Sequence, residues 1–321
     1  GTIDDVRLYD RALSVDEIAY LHKSFDANVT YDTDRRVPKY FNGDDWVAMG
    51  PSKYVPNAVE FQKPGGSDDY LISDSFNWPG GQKLTASFWI KPTCLDCGNG
   101  SRLFQSKPDP SEGCTLQNST GNYKLRCYFD EAGGGKAFEF ETDYQFSDLN
   151  TWYHVMFSFD LSDPSRRHVY ISDTEDTSAW PAYVTGGALE SASSFRIATR
   201  NTSGSRLFHG DMADLWVDSG TYMDLSAEAH RRKFIDANGN PVYLGADGSL
   251  PTGSAPDIFL TGDTDAWHIN KGTGGGFTES GELTTAGSVP GDVYTGMTTD
   301  GLIGWWKLDE TSGTGIIDYA S

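Results

Sequence analysis

Apolar and polar residues alternate in short runs through the middle of the chain, and clusters of Gly, Pro, Asn and Asp separate the runs. The clearest run is Lys83 to Ile90, where Leu84, Ala86, Phe88 and Ile90 share one face and Trp89 points the other way, as in a half-buried antiparallel strand. The same two-residue period predicts strands at Ala58 to Phe61, Tyr70 to Ile72, Arg102 to Gln105, Lys124 to Phe129, Ala137 to Glu141, Trp152 to Phe159, His168 to Ile171 and Ser194 to Ala198. No helices of crossover length alternate with them, so the pattern predicts an all-β sandwich. Beyond Ser226, brief strand candidates at Asp257 to Leu260 and Trp267 to Ile269 lie among loops and hairpins, an apron against the sandwich.

One pattern occurs twice. Phe208 to Ser226 (FHGDMADLWVDSGTYMDLS) and Gly1 to Ser14 (GTIDDVRLYDRALS) each place a glycine before a short alternating strand, with Ala213, Leu215 and Val217 in one and Val6 and Leu8 in the other. Each has an aspartate at the fifth position, Asp214 or Asp5, and a Leu-Ser that starts a helical turn. In the first copy Ser14 to Glu17 reads as a capping box and predicts a short helix to about His22.

The first copy resembles the closing strand and short helix of laminin-G-like and pentraxin-like domains, which share the concanavalin-type jelly-roll sandwich. The far end, GLIGWWKLDETSGTGIIDYAS (Gly301 to Ser321), resembles the opening strand of the same family. Between them ASFWIKP, TWYHVMFSFD and the strand at Gly210 follow the family's order, and the resemblance covers Asn57 to Ser226. It implies a jelly-roll β-sandwich at 55–225 with a loop and hairpin extension at 226–300. Residues 1–22 would close a preceding module, 23–54 would be a linker, and 301–321 would open a following one. The stretch APDIFLTGDTDAWHINKGTGGGFTESG resembles segments of phage virion proteins and large bacterial surface proteins. On this reading Ile3, Val6, Leu8, Ile303 and Trp305 are assembly strands, pairing across copies by β-augmentation or continuing into covalently attached domains.

Charge narrows the partners. The 321 residues include 25 basic and 46 acidic side chains, a net charge of −21, which disfavours nucleic acid and anionic membranes. No apolar stretch reaches the ~18 residues of a membrane span. Cys94, Cys97, Cys114 and Cys127 cluster in a loop-rich region and are read as disulfide candidates in an oxidising compartment. Zinc is the rival reading, although only the Cys94 to Cys97 spacing suits it.

Catalytic signatures are sparse. Glycosidases of this fold carry Glu-x-Asp-x-Glu along one strand, whereas Glu139-Phe-Glu141 lacks the central aspartate and reads as a solvated strand face. His-Glu-x-x-His and Gly-x-Ser-x-Gly are absent, and the triple glycines at Gly133 and Gly274 read as turns. His154, in the family's Trp-x-His-Val pattern, is expected to be structural. The resemblance implies Ca2+ at the sandwich rim, with Asp68, Asp69 and Asn201 as candidate oxygen ligands. Trp180 and Trp267 are read as loop aromatics that, where exposed, would stack on a sugar or a neighbouring protein, the alternative being packing within their loops. The expected function is a non-enzymatic, extracellular binding or assembly module of a cell surface, filament or virion. Its partners would be copies or adjacent modules of the same protein and polysaccharide.

Overall fold

The computed structural model describes residues 54–61, 68–94, 101–106, 112–119, 122–131, 133–201 and 206–291, together with the backbone of strands at 6–9, 29–32, 37–41, 46–48 and 302–306. The strands begin with β1 (Val6–Tyr9), β2 (Val29–Asp32), β3 (Val37–Phe41), β4 (Trp46–Ala48), β5 (Val59–Phe61), β6 (Tyr70–Ser73) and β7 (Lys83–Pro92). Next come β8 (Ser101–Gln105), β9 (Gly113–Ser119), β10 (Asn122–Asp130), β11 (Lys136–Glu141), β12 (Tyr153–Asp160), β13 (Arg167–Ile171) and β14 (Thr174–Glu175). The remainder are β15 (Ala179–Tyr183), β16 (Phe195–Ile197), β17 (Gly210–Asp218), β18 (Ile258–Leu260), β19 (Thr278–Ser280), β20 (Thr284–Thr285) and β21 (Leu302–Trp306), with helix α1 (Glu228–Arg231) after β17.

The chain divides into two compact units, one comprising Gly1–Ser52 with Asp292–Ser321, the other Lys53–Gly291. In the first, β2, β3 and β4 form an antiparallel sheet in that order, and β1 pairs antiparallel with β21, Val6 opposite Trp306 and Leu8 opposite Gly304. The terminal strands thus pair with each other within one chain. Ile3 and the helix expected after Ser14 lie outside the described residues.

The second unit is a sandwich of two antiparallel sheets. The front sheet runs β15-β11-β10-β9-β8-β16-β6-β19, and the back sheet β14-β13-β12-β7-β17-β5-β20, with β18 also paired to β17. The alternation read from Lys83 to Ile90 holds: Leu84, Ala86, Phe88 and Ile90 enter the core between the sheets. Aromatic rings interlock across it, Phe88 edge-on to Phe104 at 5.7 Å, Phe138 against Phe159 at 4.1 Å and Phe140 edge-on to Phe157 at 5.1 Å. Such pairs add specific geometry to the burial of large apolar area.

The cysteine region contains a strand that the pattern of apolar residues did not announce. β9 pairs with β10 so that Cys114 faces Cys127, and the two form a disulfide in the core. Thr115 and Gln117 alternate with them on the front face, so only Cys114 and Leu116 mark the inward side. Because the bond closes a loop with a sequence separation of 13, C114A/C127A is expected to lose about 2–3 kcal/mol in urea unfolding.

The outer face of the back sheet is apolar as well. Trp89, Met156, Tyr170 and Trp216 form a second core with Met223, Leu225, Phe234, Ile235 and Leu244, contributed by the residues after β17. The apron is therefore a third layer. Its helix differs in detail from the sequence reading: the residue ahead of α1 is Ala227, without a side-chain cap, while Ser226 donates from its backbone N and Oγ to Asp224 Oδ1 at 3.1 and 2.5 Å. Within β17 a bulge shifts the register between Ala213 and Trp216 and puts Asp214 in the left-handed region at φ 46°. The Asp214 carboxylate, sealed inside, accepts from Tyr54 OH at 3.0 Å and Thr261 Oγ1 at 2.6 Å.

Candidate functional site

The outer face of the front sheet is polar where that of the back sheet is apolar. On β10, Leu125, Cys127 and Phe129 point into the core, which turns Lys124, Arg126 and Tyr128 outward. Strand pairing sets Tyr128 opposite Glu139 on β11, and Arg126 between Glu141 on β11 and Thr115 on β9, with Arg102 on β8 next in line. Register thus collects on one surface residues that are far apart in sequence.

Electrostatics tie the surface together. Arg126 and Lys136 both donate to the Glu139 carboxylate, and their cations lie 5.0 and 4.8 Å from the centre of the Tyr128 ring. Burial alone would raise the Glu139 carboxyl, yet the Lys136 and Arg126 hydrogen bonds outweigh it and hold the group below the ordinary carboxylate range. A carboxylate pinned in its ionised form by two cations is unsuited to general-acid chemistry, and Glu141 has only the longer 3.8 Å contact with Lys124. Deeper in the sheet, Arg102 is 1% exposed. Burial lowers its guanidinium to about 10, with Tyr128 opposing the shift and the charges of Arg206 and Arg200 adding to it. The group remains a cation at neutral pH. The Arg102 backbone N donates to Arg206 O at 2.9 Å, so a second arginine lies beside β8 in a strongly acidic chain.

The residues singled out from the sequence are dispersed. Trp267 is fully buried in the main core, edge-on to Phe61 at 5.6 Å, so its ring is closed to any partner; it follows a turn in which its backbone N donates to Asp263 O at 2.9 Å. Trp180 lies on β15 rather than in a loop, half-buried against Phe140 at 5.2 Å, with the Arg167 guanidinium 5.3 Å from its ring centre. Stacking on a sugar is excluded for the first ring and hindered for the second. Cys94 is disulfide-bonded, and Cys97 lies outside the described residues. His154 is buried under the third layer, stacked on Trp89 at 4.5 Å and bonded to Ser87 Oγ at 2.8 Å; burial lowers it to about 3, which leaves a neutral structural imidazole.

At the rim, Asp68 is exposed whereas Asp69 is buried and accepts the Glu282 backbone N–H at 3.0 Å. The Asn201 carbonyl accepts from Thr199 Oγ1 at 2.9 Å. Among the described residues no three acidic, His or Cys side chains converge in a way that would hold a metal ion. The front-face residues were missed by sequence reasoning, apart from the outward alternation of Glu139 and Glu141. Among the described residues no helix is long and apolar enough to cross a membrane.

A sequence model described as the concanavalin A-like lectin/glucanases superfamily matches residues 64–222. Among solved structures, the heptameric SAP-like pentraxin of Limulus polyphemus is similar at 14% identity and TM-score 0.46, covering 72% of this chain and 96% of that one. A candidate carbohydrate-binding protein of Bacteroides ovatus is similar at 15% identity and TM-score 0.45, over 78% of this chain and 66% of that one. Domains LG4-5 of the mouse laminin α1 chain are similar at 14% identity and TM-score 0.38, over 56% of this chain and 46% of theirs. The curated proteins returned no match.

Proposed function

Residues 64–222 belong to the concanavalin A-like lectin/glucanases superfamily, and from that premise we propose that this sandwich is a non-enzymatic, extracellular module that binds an acidic polysaccharide across its front face. The observation that carries the reading is the front-face cluster of Arg126, Lys136, Tyr128 and Glu139, with Arg206 beside β8, in a chain of net charge −21. Guanidinium groups bond carboxylates in a bidentate manner, while the half-buried Gln117 on β9 and Glu141 on β11 suit sugar hydroxyls. The disulfide between Cys114 and Cys127 fits an oxidising compartment. An adhesive role within a larger surface or virion assembly follows the same reading, as does pairing of β1 and β21 between copies in place of the pairing within one chain.

Calorimetric titration with a polyuronate and with a neutral glucan tests it. The polyuronate is expected to bind and to weaken as salt rises, since exposed charge pairs are screened. Arg206→Ala is expected to weaken binding about tenfold, the loss of one charged hydrogen bond, without lowering Tm; Arg126→Ala is expected to weaken it as much and also to lower Tm, because the buried Glu139 carboxylate loses a partner. Failure of the wild-type chain to bind either polymer would overturn the proposal. Because this reading invokes guanidinium, amide and carboxylate side chains alone, binding is expected to survive a chelator; its loss would relocate the site to a Ca2+-dependent rim at Asp68.

A further inference from the structure

One row of side chains under the third layer has no role in the polysaccharide site. Strand pairing places Asp211 on β17 directly opposite Lys91 on β7 and, on its other side, directly opposite Glu60 on β5. All three point away from the main core, because their neighbours Ile90, Met212, Val59 and Phe61 point into it. Directly opposed residues have Cβ atoms about 5 Å apart, within reach for side-chain chemistry. Lys91 Nζ stands 2.5 Å from Asp211 Oδ2. Lys91 is 8% and Asp211 2% exposed, and Ser288 closes the row by accepting from Lys91 Nζ at 2.9 Å and from Trp152 Nε1 at 3.2 Å. The Trp152 ring lies 5.6 Å from the ammonium.

This is an amine held against a carboxyl group, both nearly sealed from solvent, with a second carboxylate on the next strand. Burial raises the Asp211 carboxyl above its ordinary range, the Lys91 contacts oppose the shift, and the Glu60 charge adds to it. Desolvation disfavours the two full charges, and a nearly closed pocket excludes the bulk water that otherwise reverses condensation.

We propose that Lys91 and Asp211 condense into an intramolecular amide cross-link between β7 and β17, with Glu60 as the proton carrier. One proton first moves from Lys91 Nζ to the Asp211 carboxylate, giving a neutral amine and a carboxylic acid. The Nζ lone pair attacks the Asp211 carboxyl carbon, forming the C–N bond and moving the carbonyl pair onto oxygen. Glu60 takes a proton from nitrogen and returns it to the hydroxyl, which leaves as water when the C–O bond breaks. One proton stays on the amide nitrogen. Ammonium and carboxylate become amide and water, with no oxidant, cofactor or net proton change. The reacting groups are prepaired by register, which is the source of high effective molarity in intramolecular reactions.

Mass spectrometry of the purified full chain, with its disulfides reduced, is the test. The wild-type chain is expected to be lighter than its sequence mass by one water. Its tryptic digest should contain a branched peptide joining the β7 and β17 segments, because trypsin does not cleave after an amidated lysine. Lys91→Arg and Asp211→Ala are expected at full sequence mass, a comparison that holds even for a variant that folds poorly. Glu60→Gln is expected at full mass with a circular dichroism spectrum like that of the wild type; cross-linking of this variant at the wild-type rate would overturn the role of Glu60. A wild-type chain at full mass, with Lys91 and Asp211 recovered in linear peptides, would overturn the cross-link itself.

Discussion

Trp216→Ala is expected to lower the unfolding free energy by about 3–5 kcal/mol, the range for truncating a fully buried large aromatic side chain. Trp216 is 0% exposed and sits on β17 where the back sheet meets the third layer. Its indole Nε1 donates to Gly248 O at 2.8 Å, and its ring meets Phe234 edge-on at 5.2 Å. Alanine removes the ring that both Gly248 and Phe234 contact and leaves a cavity between two layers that can collapse only by moving the chain after β17. Urea unfolding gives the magnitude, and limited proteolysis gives the location: new cleavage should fall within 226–291 before the sandwich is cut. Trp216→Phe keeps most of the apolar area and loses the hydrogen bond, so its effect should be clearly smaller. Equal losses for both variants would show that the indole hydrogen bond, rather than packing, holds the layer.

Asp214→Asn is expected to act in the opposite direction. Burial raises the Asp214 carboxyl from 3.8 to about 6, against the stabilising bonds from Thr261 and Tyr54. The folded state therefore binds a proton more tightly than the unfolded chain does. A group with a raised folded-state value contributes stability that is fully present below 3.8 and is lost as pH rises towards about 6, so the wild-type unfolding free energy should fall across that window. A shift of about two units corresponds to about 3 kcal/mol, an upper figure for the gain on neutral substitution. Asparagine can keep the carbonyl that accepts from Tyr54 and Thr261 while removing the charge. Unfolding series at pH 4.5 and 7.5 should show the variant more stable than wild type at the higher pH and close to it at the lower. An unchanged pH slope in the variant would assign the dependence to other carboxylates.

The sandwich was legible because its inward positions are strongly apolar. β7 shows this best: Leu84, Ala86, Phe88 and Ile90 face the core as their alternation predicts, whereas the half-buried reading of this strand did not foresee that Trp89 faces a second core. β9 was hidden because its inward residues are Cys114 and Leu116 alone, and a cysteine cluster suggests a loop. Trp267 stayed open between exposure and packing because aspartates and glycines surround it, the usual signal of a turn, and only tertiary packing shows the ring folded inward. The repeated aspartate at the fifth position was visible, but its meaning was not. Only the bulge shows that Asp214 is an internal carboxylate accepting from two hydroxyl groups. The front face was unreadable for a different reason: Arg102, Thr115, Arg126 and Glu141 become neighbours through strand register, and neither period nor composition sets the register between non-consecutive strands.

The placement of the Cys114 to Cys127 bond matters for a surface that would grip a long polymer. It spans a directly opposed pair, one rung from the pair of Thr115 and Arg126. Tension along such a ligand would shear β9 past β10, and slippage by a single residue would turn Thr115 and Arg126 inward. A covalent clasp beneath that rung forbids the slide, so the face can bear drag while its hydrogen-bonding groups keep their spacing.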